Sequence, residues 1–140
     1  MKKNLVIWIM AALCVLTAGF VYGGAGIGMR IDVPFDFYLE DQLLPAGEYS
    51  FEMDSGNFAT AAHLRVWSAT GPAGRMMFTS PGTDRTARLN QLTFNKYGDK
   101  YFLSDVLIAG HKATVKVFKL ERELRSQIDS MPSNISIAQK

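Results

Sequence analysis

The chain has 140 residues with 15 basic and 13 acidic side chains, enough for one domain of ordinary size. Its single cysteine is Cys14, so a product without the first 25 residues has no disulfide, thiol nucleophile or thiolate metal site. Without Lys2 and Lys3 the two charge types balance, which excludes the uncompensated basic surface typical of nucleic-acid binding.

Residues 1–25 have the three parts of a secretory signal peptide. Two lysines form the positive n-region, Leu5–Val15 is an unbroken apolar run, and Gly23 and Ala25 fit the small positions before a cleavage site. We therefore expect an exported protein, secreted or periplasmic, whose mature chain begins at Gly26. An uncleaved membrane anchor is the alternative, because the uncharged run reaches the lower length limit of a spanning helix, about 17 residues.

An alternation with a period of two begins at Met29 and predicts a half-buried strand. Its apolar positions are Ile31, Val33, Phe35, Phe37 and Leu39. Pro34 cannot donate a hydrogen bond to a neighbouring strand, so we expect this strand to lie at a sheet edge or to be bulged there.

The segment LPAGEYSF, Leu44–Phe51, predicts a turn that leads into a second strand. Its proline and first glycine occupy the positions that a type I turn favours. Tyr49 and Phe51 then alternate with polar residues. We expect the aromatic rings in the core and Glu48 and Glu52 toward solvent.

Further short strands, separated by turn-forming residues, follow along the chain. Strands are predicted at Leu64–Trp67, Met76–Thr79, Leu89–Tyr97, Lys100–Ile108 and Thr114–Phe118. Turns or loops are predicted at Asp54–Asn57, Gly71–Gly74 and Ser80–Asp84. Gly98 and Asp99 suit a two-residue type II′ hairpin turn, in which glycine comes first.

The C-terminal part begins with a predicted short helix, Leu120–Ile128, in which Glu121 and Arg125 have the i,i+4 spacing of a helical ion pair. The tail from Ser130 is expected to be disordered. The predicted division is a signal peptide at 1–25, a β-domain at 26–128 and a disordered tail at 129–140. The predicted fold is all-β, an antiparallel β-sandwich or small barrel of six to eight strands with a short C-terminal helix.

Charge is unevenly distributed along the predicted domain. Acidic residues dominate 29–63 and basic residues dominate 64–140. We expect acidic early strands to lie beside basic later ones, because opposite charges on neighbouring strands are favourable.

Two sequence blocks resemble a known family. Val33–Phe51 (VPFDFYLEDQLLPAGEYSF) and Leu92–Val106 (LTFNKYGDKYFLSDV), followed by an E-R-E run at Glu121–Glu123, are similar to a family of small exported acidobacterial proteins of uncharacterised function. Its pattern runs V-P-F-x-F, L-P-A-G-x-Y, Y-G-D-x-Y-F-L. The resemblance implies export and a β-rich fold, and it brings no catalytic or ligand-binding residues. The chain departs from the pattern at Val115–Leu120, where the family has a more polar, proline-containing segment.

Candidate catalytic and metal-binding residues are few. His63 and His111 are the only histidines, and their spacing fits no metal motif, so no metal or cofactor is expected. A hydrolase built on Asp36, Glu48 and Glu52 is a distant alternative, since paired carboxylates can act as acid and base. We expect these carboxylates to form a solvated face instead.

The aromatic residues are the stronger candidates for binding. Tyr97 and Tyr101 flank the Gly98-Asp99 turn and are expected to stack across it. Together with Trp67 and Tyr38 they form the candidate ligand-binding set, although packing in the core is the simpler interpretation.

The sequence therefore predicts an exported, non-catalytic β-domain of the cell envelope or periplasm. Its role would be binding or structural, with an envelope protein, a glycan or a small apolar ligand as partner. A membrane would be involved only through the signal peptide before cleavage. The first alternative is a small β-barrel that binds an apolar ligand, and the second is the carboxylate hydrolase.

Overall fold

The computed structural model describes residues 26–54, 62–71, 74–86, 88–128 and 131–139. Within these ranges the chain forms ten strands and one helix, α1, Lys119–Gln127. The strands are β1 Ile27–Val33, β2 Phe37–Leu39, β3 Gln42–Leu44, β4 Gly47–Met53, β5 Ala62–Ser68, β6 Gly74–Thr83, β7 Gln91–Tyr97, β8 Lys100–Ile108, β9 His111–Thr114 and β10 Ser133–Ala138. The predicted signal peptide lies outside the described residues, as do most of the turn after Asp54 and the centre of the turn after Gly71.

The predicted all-β fold with a short C-terminal helix is confirmed, with ten strands rather than six to eight. The strands form two sheets, one of which curls into a half-barrel. Strand β6 belongs to both sheets, because its first part pairs with β5 and its last four residues pair with β9. The resulting order is β1-β4-β5-β6-β9-β8.

Strand β8 is the junction of the second half of the fold. One edge of β8 pairs with β7, which in turn pairs with β10. The other edge is shared between β9 and β2, and β2 meets it in parallel at Tyr38 and Phe102. The short β2–β3 hairpin is thereby held against the start of β8.

One hydrophobic core fills the interior of the curled sheet. Strands β1 and β4 alternate buried and exposed residues, as the period-two pattern predicts. The largest side chains with almost no exposed surface come from four different strands: Phe37, Phe51, Phe94 and Phe102. Tyr49 and Phe51 are buried and Glu48 is exposed, so the aromatic residues of LPAGEYSF lie in the core as expected.

The first predicted strand is divided in two. The chain leaves the sheet at Pro34–Asp36, between β1 and β2, because the proline has no N–H to donate. Within the described ranges β1 pairs with β4 alone, and so lies at a sheet edge as Pro34 predicts. Strand β3 is not predicted by the sequence pattern; it follows directly after a two-residue turn at Glu40 and Asp41.

Two predicted loops are strands. Ser80–Thr83 continues β6 and pairs with His111–Thr114, so the loop prediction at Ser80–Asp84 is wrong for its first four residues. The disordered tail is also wrong, because Ser133–Ala138 pairs with β7 along six residues. Conversely, the predicted strand at Thr114–Phe118 ends at its first residue, and 115–118 form an irregular connection to α1.

Helix α1 agrees with the prediction to within one residue at each end. Glu121 does not lie on its solvent face as half of an exposed ion pair. It is 4% exposed, and its Oε1 accepts hydrogen bonds from Asn95 Nδ2 at 2.8 Å and from the Tyr97 hydroxyl at 3.1 Å. The helix is therefore docked on β7 through a buried carboxylate. Over the described ranges, no helix has the length and apolarity needed to cross a membrane.

Opposite charges meet across strands at Arg65, as the charge distribution predicts. Its guanidinium lies 4.0 Å from Glu52 and 3.8 Å from Asp54, both from the acidic half of the chain. These side chains are substantially exposed, so each pair contributes at most about 1 kcal/mol to stability.

Candidate functional site

An apolar cavity lies where the β2–β3 hairpin faces the start of β4 and the end of β5. We call it the hairpin cavity; its volume is about 440 Å³. This is within the range of about 300–1,000 Å³ that is typical of small-molecule sites. The hairpin side is formed by Leu39, Gln42, Leu43, Leu44 and Pro45. The sheet side is formed by Tyr49, Val66, Trp67, Ser68, Thr70 and Gly71.

The floor of the cavity belongs to the protein core. Leu39, Tyr49 and Val66 are almost fully buried, and each comes from a different strand. Strand alternation points these residues inward, where they support the cavity from beneath. The apolar surface that a ligand could reach belongs to Leu43, Leu44, Pro45 and Trp67.

The mouth of the cavity carries an exposed apolar side chain, Leu43, which is 51% exposed. Leu43 and Leu44 are adjacent in β3, and neighbouring residues of a strand point to opposite faces. Leu44 is half-buried beside the core, which leaves Leu43 outside. The two adjacent leucines in QLLPAG indicate that one of them is exposed if the segment is a strand, although no exposed leucine was predicted here.

The corner between β3 and β4 is fixed by two hydrogen bonds. The Tyr49 hydroxyl donates to the carbonyl oxygen of Pro45 at 2.6 Å, and Asp36 Oδ1 accepts from the Ala46 N–H at 2.8 Å. Burial raises the pKa of Tyr49, and the negative charge of Asp36 raises it further. The segment LPAGEYSF is thus a corner that also forms part of a cavity wall.

The hairpin itself is attached to α1. The N-cap residue of α1, Phe118, makes no side-chain capping bond. Instead Asp41 Oδ1, in the β2–β3 turn, accepts a hydrogen bond from the Leu120 N–H at 3.0 Å. A carboxylate from elsewhere in the chain therefore satisfies one of the free N–H groups at the helix start and holds the hairpin in place.

The four predicted binding aromatics are not brought together. Trp67 lines the hairpin cavity. Tyr38 stacks on Phe102 with centroids 4.8 Å apart, and Tyr97 meets the same ring edge-on at 5.7 Å. Tyr101 stacks on a different ring, Phe35, at 3.9 Å.

The expected stacking of Tyr97 on Tyr101 is wrong. The two-residue turn pairs Tyr97 with Lys100 and Lys96 with Tyr101, which places the two tyrosines on opposite faces of the hairpin. The turn itself is as predicted: Gly98 has φ 61°, the positive value that the first position of a type II′ turn requires.

The carboxylates of the hydrolase alternative have separate partners. Glu48 lies 3.5 Å from Arg30 and Glu52 lies 4.0 Å from Arg65, both on the outer face of β4. They are four residues apart on one strand, which is about 13 Å by the strand rise. That separation exceeds the carboxylate spacing of glycosidases, about 5–9.5 Å.

The two histidines lie on different strands. His63 is on β5 and His111 is on β9, with β6 between them. No group of three or more potential metal ligands occurs among the residues that the structure describes.

A second opening separates the two edges of the fold. We call it the seam; it lies between β1, at Arg30–Asp32, and the end of β10, at Ile137–Gln139, and encloses about 390 Å³. Gln139 spans it, because its Nε2 donates to the Arg30 carbonyl oxygen at 3.2 Å. The seam is lined by charged and polar residues as well as Ile31 and Ile137, and it is the less apolar of the two cavities.

Comparison with models of protein families, with curated proteins and with solved structures finds no match to this chain.

Proposed function

We propose that this protein is an exported, non-catalytic binding module that holds an apolar ligand in the hairpin cavity. The single observation that carries the proposal is the composition of that cavity. Its accessible walls are the apolar side chains of Leu43, Pro45 and Trp67, and buried core residues support them from beneath. Ligand sites combine mostly apolar walls with a few polar groups, as this cavity does.

Export is the part of the proposal that comes from the sequence. The predicted signal peptide and the resemblance to a family of small exported proteins both support delivery to the periplasm or the outside of the cell. A binding site for an apolar compound suits that environment, because such compounds need a carrier or receptor in water.

The test uses N-phenylnaphthylamine, an uncharged dye whose emission rises in apolar surroundings, with protein recovered from a bacterial envelope fraction. We expect saturable binding, and a mass that begins near Gly26 if the leader is removed. Leu43→Gln should weaken binding about fivefold or more, because it replaces apolar surface at the mouth. Leu89→Gln is the matched control, since Leu89 is 60% exposed and does not line the cavity.

Two results would overturn the proposal. The first is a flat titration with the unaltered protein at high dye concentration. The second is an equal loss of binding in the Leu43 and Leu89 variants, which would place the dye elsewhere on the surface.

A further inference from the structure

The rim of the hairpin cavity carries polar groups without charge. Gln42 and Thr70 are exposed and Ser68 is half-buried, and these three supply an amide and two hydroxyl groups to the rim. The Ser68 and Thr70 hydroxyl oxygens lie 3.4 Å apart, and the Thr70 N–H donates to Ser68 Oγ at 3.3 Å. The rim can therefore both donate and accept hydrogen bonds.

None of the described residues that line the hairpin cavity is charged. Asp36 is a charged group near its corner: its negative charge acts on Tyr49, and its Oδ1 is engaged by the Ala46 N–H. Among the described residues of the lining, a ligand carboxylate would find no cation and a ligand ammonium group would find no carboxylate. The amide and hydroxyl groups of the rim can pair with an uncharged, hydroxyl-bearing head group, which needs no counter-charge.

We infer that the ligand is a neutral amphiphile: a single alkyl chain with an uncharged, hydroxyl-bearing head group. The alkyl chain lies on the accessible apolar surface of Leu43, Pro45 and Trp67. The head group hydrogen-bonds to Gln42, Ser68 and Thr70 at the rim. This inference rests on the proposed function and names the ligand class of the same site.

The experiment compares three probes with the same dodecyl-length chain, each below its micelle concentration and in competition with N-phenylnaphthylamine. They are monolaurin, which is neutral, laurate, which is an anion, and dodecylamine, which is a cation at neutral pH. We expect monolaurin to displace the dye at a concentration about tenfold lower than either charged probe, because the described lining offers the charged head groups no counter-charge.

A charge introduced at the rim makes the test sharper. Gln42→Lys should lower the concentration of laurate needed for displacement about tenfold, to about that of monolaurin, since the new ammonium group supplies the missing counter-charge. Leu89→Lys is the matched control, because it adds the same charge away from the cavity. Both positions are exposed, so neither variant disturbs the core.

The outcomes distinguish an error in the ligand class from an error in the binding function. If laurate or dodecylamine competes as well as monolaurin, the neutral head group is wrong while the binding function stands. If Gln42→Lys and Leu89→Lys change laurate binding equally, the rim does not select the head group. If no probe displaces the dye and the dye itself does not bind, the proposed function is wrong.

Discussion

Two buried tyrosines, Tyr49 and Tyr97, place their hydroxyl groups in packed regions of the protein. The Tyr49 hydroxyl bonds to a backbone carbonyl at the corner of the cavity, and the Tyr97 hydroxyl bonds to Glu121 beneath α1. Burial is the main cause that raises the pKa of each tyrosine above its usual value near 10. The charge of Asp36 adds to this at Tyr49, and that of Glu121 adds to it at Tyr97. Both side chains are held in the protonated form that donates.

These raised pKa values predict a loss of stability in alkali. Below about pH 10 both tyrosines are protonated in the folded and the unfolded chain, and their contribution is complete. Above it the unfolded chain releases these protons more readily, so the free energy of unfolding falls as the pH rises toward the folded-state pKa values. Urea unfolding between about pH 8 and about pH 11 should show a shallower decline for the double variant Tyr49→Phe, Tyr97→Phe than for the unaltered protein.

The measured quantity is the slope of the free energy of unfolding against pH, because the double variant also loses two hydrogen bonds at every pH. Tyr101→Phe is the control, since it removes the hydroxyl of a half-buried tyrosine and keeps the ring that stacks on Phe35. An identical pH slope in the unaltered protein and the double variant would contradict the prediction.

The β2–β3 hairpin and helix α1 are joined by hydrogen bonds and together support the wall of the cavity. Asp41 in the hairpin turn bonds to the start of α1, and Glu121 in α1 bonds to β7. The hairpin also pairs with β8 at Tyr38. The wall of the cavity is thus attached both to the helix and to the second half of the sheet.

Glu121→Ala should lower the free energy of unfolding by about 2–3 kcal/mol, because it leaves the half-buried amide of Asn95 and the buried hydroxyl of Tyr97 without their acceptor. Urea denaturation at neutral pH measures this loss. Glu123→Ala is the matched control on the same helix: its carboxylate lies 3.9 Å from Lys119 and both side chains are largely exposed. That pair contributes little. Equal losses in the two variants would mean that Glu121 does not anchor the helix.

The elements that the sequence predicted are those with a local signal. Gly98 identifies the β7–β8 turn because glycine adopts a positive φ without strain. The β2–β3 turn has the same need but no glycine: Glu40 has φ 58°, a value uncommon for a non-glycine residue. Tertiary contacts hold it there, through β8 and α1. Local preference could not reveal this hairpin, and the cavity that it forms was missed with it.

Strand β10 could not be predicted from local sequence either, because it pairs with a strand that is distant in the chain. Its sequence, SNISIA, has only two large apolar residues, Ile135 and Ile137, and both are half-buried. Its hydrogen bonds go to β7, about forty positions earlier in the chain. A polar tail with weak alternation is typical of disorder, and only the free edge of β7 makes it a strand. Of the four aromatic residues predicted to bind a ligand, Trp67 alone lines the cavity. The other lining residues come from distant parts of the sequence, so no local pattern could identify them together with Trp67.

At the scale of the whole molecule, β10 closes one side of the fold. It covers the edge of β7 and brings Gln139 to β1 across the seam. Gln139 is itself fixed at Asn90, whose carbonyl oxygen accepts its N–H at 2.9 Å and whose Nδ2 donates to its Oε1 at 2.8 Å. The last strand thus connects the second half of the sheet to the first.

A chain that ends at Asp129 should be less stable by about 2 kcal/mol or more, since it loses two half-buried isoleucines and six residues of strand pairing. It should also self-associate, because the edge of β7 is then exposed. Urea denaturation and size-exclusion chromatography measure the two effects. A chain that lacks only Lys140 is the control. Unchanged stability and a monomeric elution volume for the shorter chain would contradict the role assigned to β10.

The bond across the seam also bears on the order in which the fold is completed. Gln139 and Arg30 are 109 positions apart, and synthesis delivers Arg30 first. Strands β1, β4 and β5 pair with near neighbours in sequence, whereas the seam is bridged only when the end of the chain is available. Contacts between such distant residues form late, because a long loop must close before they stabilise anything. In a chain threaded through a channel, the bond between Arg30 and Gln139 would form only after Gln139 had emerged.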